Sequence, residues 1–215
     1  MGEIYANPQA TQTSLDDMFF DAEGWLQAEV AREFAEREGN AFLLGNGTNK
    51  PKGLLAYTLS TDPDGTRDFG KLQKVHSGEA GKFDGDDLIS LVYALKRGYR
   101  SNASWMMSGL TVAACRLLKD DQNNYLWQPG LQAGQPSTLL GYGIVENEDM
   151  PDVAVDANAV LFGDFRRAYT IVDRIGTRVL RDPYTNKPNV GFYTTKRVGG
   201  MLTDSQAVKV LTLSA

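Results

Sequence analysis

The sequence predicts an α+β fold, and three observations carry that expectation. An apolar stripe at helical spacing opens the chain, period-two alternation takes over in its second half, and no strand–helix–strand alternation links the two. Helices gathered early and strands gathered late argue against an alternating parallel sheet.

The first element reads as one long amphipathic helix. Ser14 is a fitting N-cap, Asp17 is a weak capping-box partner, and Asp16, Asp17 and Asp21 suit the positive end of a helix. Leu15, Phe19, Ala22, Leu26, Val30 and Phe34 line one stripe, while Arg32–Glu36 and Glu33–Arg37 have the spacing of exposed ion pairs. The pattern runs to about Gly39, and a further turn would reach Leu43. At 1.5 Å per residue, about 25–28 residues span roughly 40 Å, more than twice the usual helix. Such a rod predicts an elongated subunit.

Gly45, Gly47, Pro51 and Gly53 break the chain, and residues 58–82 read as a polar surface loop with at most a short hairpin. A second helix is expected after Asp84, burying Leu88, Leu91, Val92 and Leu95. Trp105–Met107 is strand-like, and Ser108 suits the cap of a third helix carrying Leu110, Ala114, Leu117 and Leu118. Residues 125–141, rich in Gly, Gln and Pro, read as an ordered loop. Strands are expected at 142–147, 159–163, 168–181, 189–198 and 207–213, with Asp182–Pro188 turning a long hairpin.

The chain has 215 residues, which suits one or two domains, and its 42% hydrophobic and 23% charged content is that of a globular protein. No stretch approaches the ~20 apolar residues of a membrane helix. One cysteine rules out an internal disulfide, and a single histidine makes a Cys/His zinc site untenable. Glycine, at 22 residues, is more abundant than usual. The net charge of −5 is unevenly spread: residues 1–48 carry −7, residues 49–165 carry −4 and residues 166–215 carry +6. The acidic front and basic tail could attract each other within one fold or across neighbouring copies.

Motifs for chemistry are weak. Cys115 falls inside a helical pattern and His76 in a loop beside Gly78, so neither has the setting of a nucleophile and base. Gly45–Lys50 lacks the Gly-Lys-Ser/Thr of a phosphate loop, and Gly141-Tyr-Gly143 lacks a third glycine. Asp62, Asp64 and Asp68 have calcium-loop spacing, but Arg67 and Gln73 replace the required glycine and glutamate. Glu146, Glu148, Asp149 and Asp152 could supply paired carboxylates for a hydrolase, but read better as a solvated strand end. The basic residues Arg166, Arg167, Arg174, Arg178, Arg181, Lys196 and Arg197 alternate with strand apolars and read as a charged face. No cofactor or metal is expected.

Three long segments add a resemblance. Tyr125–Asp152 (YLWQPGLQAGQPSTLLGYGIVENEDMPD), Gly163–Gly200 (GDFRRAYTIVDRIGTRVLRDPYTNKPNVGFYTTKRVGG) and Ile4–Gly53 resemble tailed-phage major capsid proteins of the HK97 family. The resemblance implies an HK97-like fold: a long spine helix, a peripheral domain of long antiparallel strands (1–48 with 166–204) and an axial α/β-sandwich-like domain (49–165 with 205–215). It implies a non-enzymatic capsid subunit forming pentamers and hexamers of an icosahedral head. Implied partners are other copies, a portal, a scaffold or protease, and double-stranded DNA bound without sequence specificity, with no membrane. The setting would be the virion, assembled in the host cytoplasm. It also favours charge pairing across copies, with Glu29, Glu33, Glu36, Arg166, Arg167, Arg178, Lys196 and Arg197 as expected contact residues. An encapsulin-like nanocompartment shell, which encloses cargo enzymes, is the alternative reading.

The resemblance starts at the segment that follows the family's extended loop, so the N-terminal arm and that loop are expected to be missing. The cross-linking chemistry of some members is not carried over. The loop lysine is missing, Thr195 stands at the aligned glutamate position, and Asn189 only approximates the asparagine. The expected solution species is a monomer or small ring, to be checked by multi-angle light scattering; megadalton particles would contradict it.

Overall fold

The computed structural model describes residues 1–17, 19, 21–119, 122–127 and 138–215. Strands β1 (Gly2–Ala6) and β2 (Gln9–Thr11) precede helices α1 (Gln12–Asp17) and α2 (Ala22–Leu44). Strands β3 (Leu59–Ser60) and β4 (Leu72–Ala80) follow, then α3 (Gly85–Ala94), α4 (Arg97–Arg100), β5 (Ser104–Met107) and α5 (Gly109–Arg116). The rest is β6 (Thr138–Leu139), β7 (Tyr142–Glu146), β8 (Val160–Gly163), α6 (Phe165–Ala168), β9 (Tyr169–Asp182), β10 (Asn189–Leu202) and β11 (Val208–Ser214). The chain divides into two compact units, residues 1–56 with 171–201 and residues 57–170 with 202–215.

In the first unit, β10 is the hub of a four-stranded sheet. Antiparallel β1 and β2 share one of its edges, and β9 holds the other. Val190, Phe192 and Val198 of β10 are buried, as are Phe34 and Leu43 of α2. The expected single helix is two helices. Asp21 accepts from the Gly24 amide at 3.0 Å and starts α2 afresh, so Ser14 lies within α1 and Phe19 is exposed. The aspartate captures an orphan N–H of the first turn, which is why an Asp-rich stretch punctuates a helix instead of extending it. The 23 residues of α2 span about 35 Å.

The second unit is built on a mixed seven-stranded sheet, ordered β3-β4-β11-β8-β5-β7-β6. β4 runs parallel to β11, while β8 is antiparallel to both β11 and β5. Trp105, Met107, Val160, Phe162, Leu211 and Leu213 line one face, against Leu88, Leu91, Val92 and Leu95 of α3 and Val112 and Cys115 of α5. Trp105 and Phe162 rings stand 4.4 Å apart, and the Trp105 indole donates to Leu139 O. Asp84 closes a capping box with Asp87 at the start of α3. Gly163 is required by close approach, since a Cβ there would lie 2.2 Å from Ala207 O.

Residues 58–82 depart from the expected surface loop. β4 occupies the middle of this stretch and lies inside the sheet, pairing through Lys209↔Gln73 and Leu211↔Val75. β4 is weakly apolar because its partner β11 supplies the burial: every residue from Val208 to Leu213 is buried. His76 accordingly sits exposed on a strand, not in a loop. α5 starts at the Ser108 cap; Ala114 and Leu118 pack against the core as expected, beside buried Thr111, Val112 and Cys115, whereas Leu110 and Leu117 are mostly exposed. Ser108 hydrogen-bonds both Thr111 and Asp152, which ties the start of α5 to residue 152. Of the expected 125–141 loop, residues 128–137 lie outside the described residues. The late strands fall within a few residues of their expected bounds.

Phe162→Ala should lower unfolding free energy by about 3–5 kcal/mol, the usual range for emptying an aromatic core site. Urea denaturation followed by fluorescence measures it, and a loss below about 1 kcal/mol would contradict this packing.

Candidate functional site

The groups that could do chemistry stand apart from one another. Cys115 is buried, its thiol is pushed up to about 12 by desolvation, and its Sγ lies 3.8 Å from Met107 Sδ. A thiolate nucleophile is therefore out of reach there. Glu146 and Glu148 are both exposed, and Asp152 accepts the Ser108 hydroxyl at 2.7 Å. The calcium-like aspartates are engaged separately: Asp62 accepts from Ser60 Oγ, Asp64 from Arg67 and Lys209, and Asp68 from Lys71. Among the described residues no group of three metal-ligating side chains forms, and no helix is long and apolar enough to cross a membrane.

One charged cluster escaped sequence reasoning. Lys209 of β11 is fully buried and reaches Asp64 Oδ1 at 2.6 Å; Arg67 Nη2 reaches the same oxygen, also at 2.6 Å. Arg67 further donates to the carbonyls of Asp62, Lys71 and Ser205, so its fork pins residues 62–71 to the turn before β11. Burial alone would raise the Asp64 carboxyl, but the hydrogen bonds and charges of Lys209 and Arg67 outweigh it and hold it below the usual range. Burial lowers Lys209, and Asp64 only partly restores it. Nothing local in Asp-Pro-Asp-Gly-Thr-Arg signals a partner at position 209; only the exception of a lysine in an otherwise apolar strand could have pointed to it.

The expected contact residues fall into three groups. Glu29, Glu33 and Glu36 lie on α2, the first two bonded to Arg32 and Arg37. The Glu33–Arg37 pair has the expected spacing, whereas Arg32 turns back to Glu29. Arg166 and Arg167 sit exposed on the four-residue helix α6. Arg167 lies 3.7 Å from Asp204 and over the Tyr99 ring, while Arg166 forms no ion pair with the described residues. In the other unit, Lys196 is bonded to Glu38 at 2.7 Å and lies 3.6 Å from Asp173, whereas Arg178 and Arg197 are exposed. The basic tail is therefore not one patch.

Asp64→Asn should destabilise the fold by about 3–5 kcal/mol, because two cations would remain buried without a counter-charge. Lys209→Met should cost far less. The Asp64 contribution is present above the unfolded carboxylate value of about 3.9 and fades as pH falls through the lower folded value. Denaturation midpoints for parent and D64N should therefore converge toward pH 2; a constant gap from pH 7 to 2 would exclude this role.

The comparisons give the whole arrangement a context. The chain matches the Phage capsid family over residues 1–213. It is similar to the capsid of a native GTA particle computed with C5 symmetry, at 44% identity and a TM-score of 0.92, covering 100% of this chain and 73% of that one. A solved chain of Microbacterium phage Oxtober96 shares the fold at 18% identity and a TM-score of 0.69, covering 99% of this chain and 72% of that one. So does the SrpI encapsulin of Synechococcus elongatus PCC 7942, at 14% identity and a TM-score of 0.69, covering 98% and 73%. No curated protein matches the chain. The fold is HK97-like and α+β, and the chain belongs to the phage capsid family as a structural shell protein.

Proposed function

We propose that this subunit builds the pentamers and hexamers of an icosahedral, DNA-enclosing head of the tailed-phage kind. The observation that carries the reading is whole-chain similarity, at 44% identity, to a capsid described with five-fold symmetry. Encapsulins share the fold at far lower identity, so the phage-type head is the better supported container. In this reading the subunit works by self-association and has no catalytic step. Portal, scaffold or protease, and double-stranded DNA are its further partners, and assembly takes place in the host cytoplasm. Residues 1–48 with 166–204 form the peripheral domain of each subunit, and residues 49–165 with 205–215 the axial one. The division into compact units 1–56 with 171–201 and 57–170 with 202–215 supports that arrangement.

Across subunit edges, Glu29, Glu33 and Glu36 are complementary in charge to Arg166, Arg178 and Arg197. Glu29, Glu33, Arg167 and Lys196 already have partners in their own chain, so they contribute less. Such pairs govern partner choice and register more than raw affinity. Co-expression with tailed-phage portal and protease genes, followed by electron microscopy, should yield closed heads containing DNA, which the chain by itself does not form. Particles filled with a cargo enzyme instead would overturn the phage reading. Arg166→Glu should weaken association at low salt while leaving the melting temperature within about 2 °C of the parent. Arg167→Glu should lower the melting temperature more, since it meets Asp204 and Tyr99. Identical association for the parent and R166E would remove Arg166 from the interface.

A further inference from the structure

Asparagine followed by glycine occurs once in the chain, at Asn46-Gly47, just past the end of α2. Both residues are exposed, so solvent reaches the side-chain amide and the peptide nitrogen beside it. The Asn46 side chain folds over its own backbone, and its Oδ1 accepts from the Thr48 amide at 3.0 Å. That bend carries Cγ toward the intervening Gly47 nitrogen, the atom able to attack it. The same Thr48 N–H polarises the Asn46 side-chain carbonyl and is placed to stabilise the oxyanion that attack creates. Gly47 has no Cβ to shield its nitrogen, and the turn holds it at φ +81°. A Cβ there would lie 3.2 Å from Lys52 Cβ, so the turn itself keeps glycine in place.

Other positions open to the same chemistry are shielded. Asp64, before Gly65, is buried and clamped by Lys209 and Arg67. Asp84, before Gly85, has its Oδ1 held by the amides of Asp86 and Asp87, and Gly85 already belongs to α3. Asn40 lies inside α2, whose helical backbone keeps the following nitrogen out of line with the side chain. Asn49 is followed by lysine, whose side chain crowds the peptide nitrogen.

We infer that Asn46 is a self-modification site, at which the Gly47 nitrogen attacks Asn46 Cγ and closes a succinimide that solvent water then opens. The nitrogen gives up its proton to water or hydroxide, the Cγ–Nδ2 bond breaks, and Nδ2 leaves as ammonia. Water next cleaves one of the two ring bonds to the Gly47 nitrogen. Cleavage at Cγ yields aspartate, and cleavage at the backbone carbonyl carbon yields isoaspartate. Both products place a carboxylate beside the C-terminal end of α2, the end that disfavours negative charge. Isoaspartate also adds one carbon to the backbone of a tightly held turn. That turn is closed by the Asn46–Lys52 bridge and by the Gly53 amide, which donates to Gly45 O at 2.7 Å. The segment after α2 therefore loosens as the protein ages.

Incubation of the full chain at 37 °C, followed by tryptic mass spectrometry, tests it. Trypsin does not cut before proline, so residues 38–52 leave as one peptide carrying Asn40, Asn46 and Asn49. Asn46 should convert to aspartate and isoaspartate at least tenfold faster than the other two. Its rate should rise from pH 7 to pH 8, because the attacking nitrogen must lose a proton. Isoaspartyl methyltransferase should label the aged parent far more than aged Asn46→Gln. A free peptide of residues 42–50 gives the rate without the fold, and the folded chain should stay within tenfold of it. A larger slowing would show that the turn protects Asn46 and would overturn the inference, as would equal conversion at all three asparagines. Aged protein should also be cut after Lys52 sooner than fresh protein; equal cutting would overturn the loosening.

Discussion

The second unit depends on a single insertion: β11 entering the sheet between β4 and β8. Six of its seven residues are buried, and the strand completes hydrogen-bond ladders on both sides. Without it, β3 and β4 have no link to the rest of the sheet, and the core loses Leu211 and Leu213. The one charge β11 carries inward, Lys209, is met by Asp64, which Arg67 holds in place. Burying an ammonium is tolerable only with such a counter-charge. The same ion cluster thus fixes where residues 62–71 lie and seals one end of the sheet.

The first unit follows a different rule. Its sheet is organised by β10, buried on the α2 side and open on the other. A two-layer arrangement of one helix and one sheet leaves a sheet face over unless something else covers it. Here it carries arginine, tyrosine and methionine, in keeping with a protein whose work is to be one tile among many.

The elements that were legible in the sequence are those whose signal is local. The long hairpin was visible because alternation runs unbroken on both sides of Asp182–Pro188, and α3 because Asp84 caps a clean apolar stripe. What stayed hidden depends on distant partners. β4 looks polar in isolation and is a strand only because β11 pairs with it. The break between α1 and α2 turned on which of several aspartates would cap, and Asp21 prevailed through Gly24. Among the charged residues, charge segments marked the basic strands, but could not say that Lys196 pairs with Glu38 while Arg178 is exposed. Family resemblance supplied what residue chemistry alone did not, since shell formation leaves no catalytic motif to read.

The ion pair between Asp64 and Lys209 joins residues 145 apart in sequence. Every residue between them, including the strands and hairpin of the first unit, lies within the loop that the β4–β11 pairing closes. Non-local pairing of this kind is slow, because the entropy of closing a long loop comes before any contact rewards it. During synthesis, β4 and β8 would wait with open edges, the state in which strands pair with the wrong chain. A subunit made in large numbers at once meets that hazard acutely. Its yield in a cell should therefore respond to temperature and chaperone supply more than its final stability would suggest.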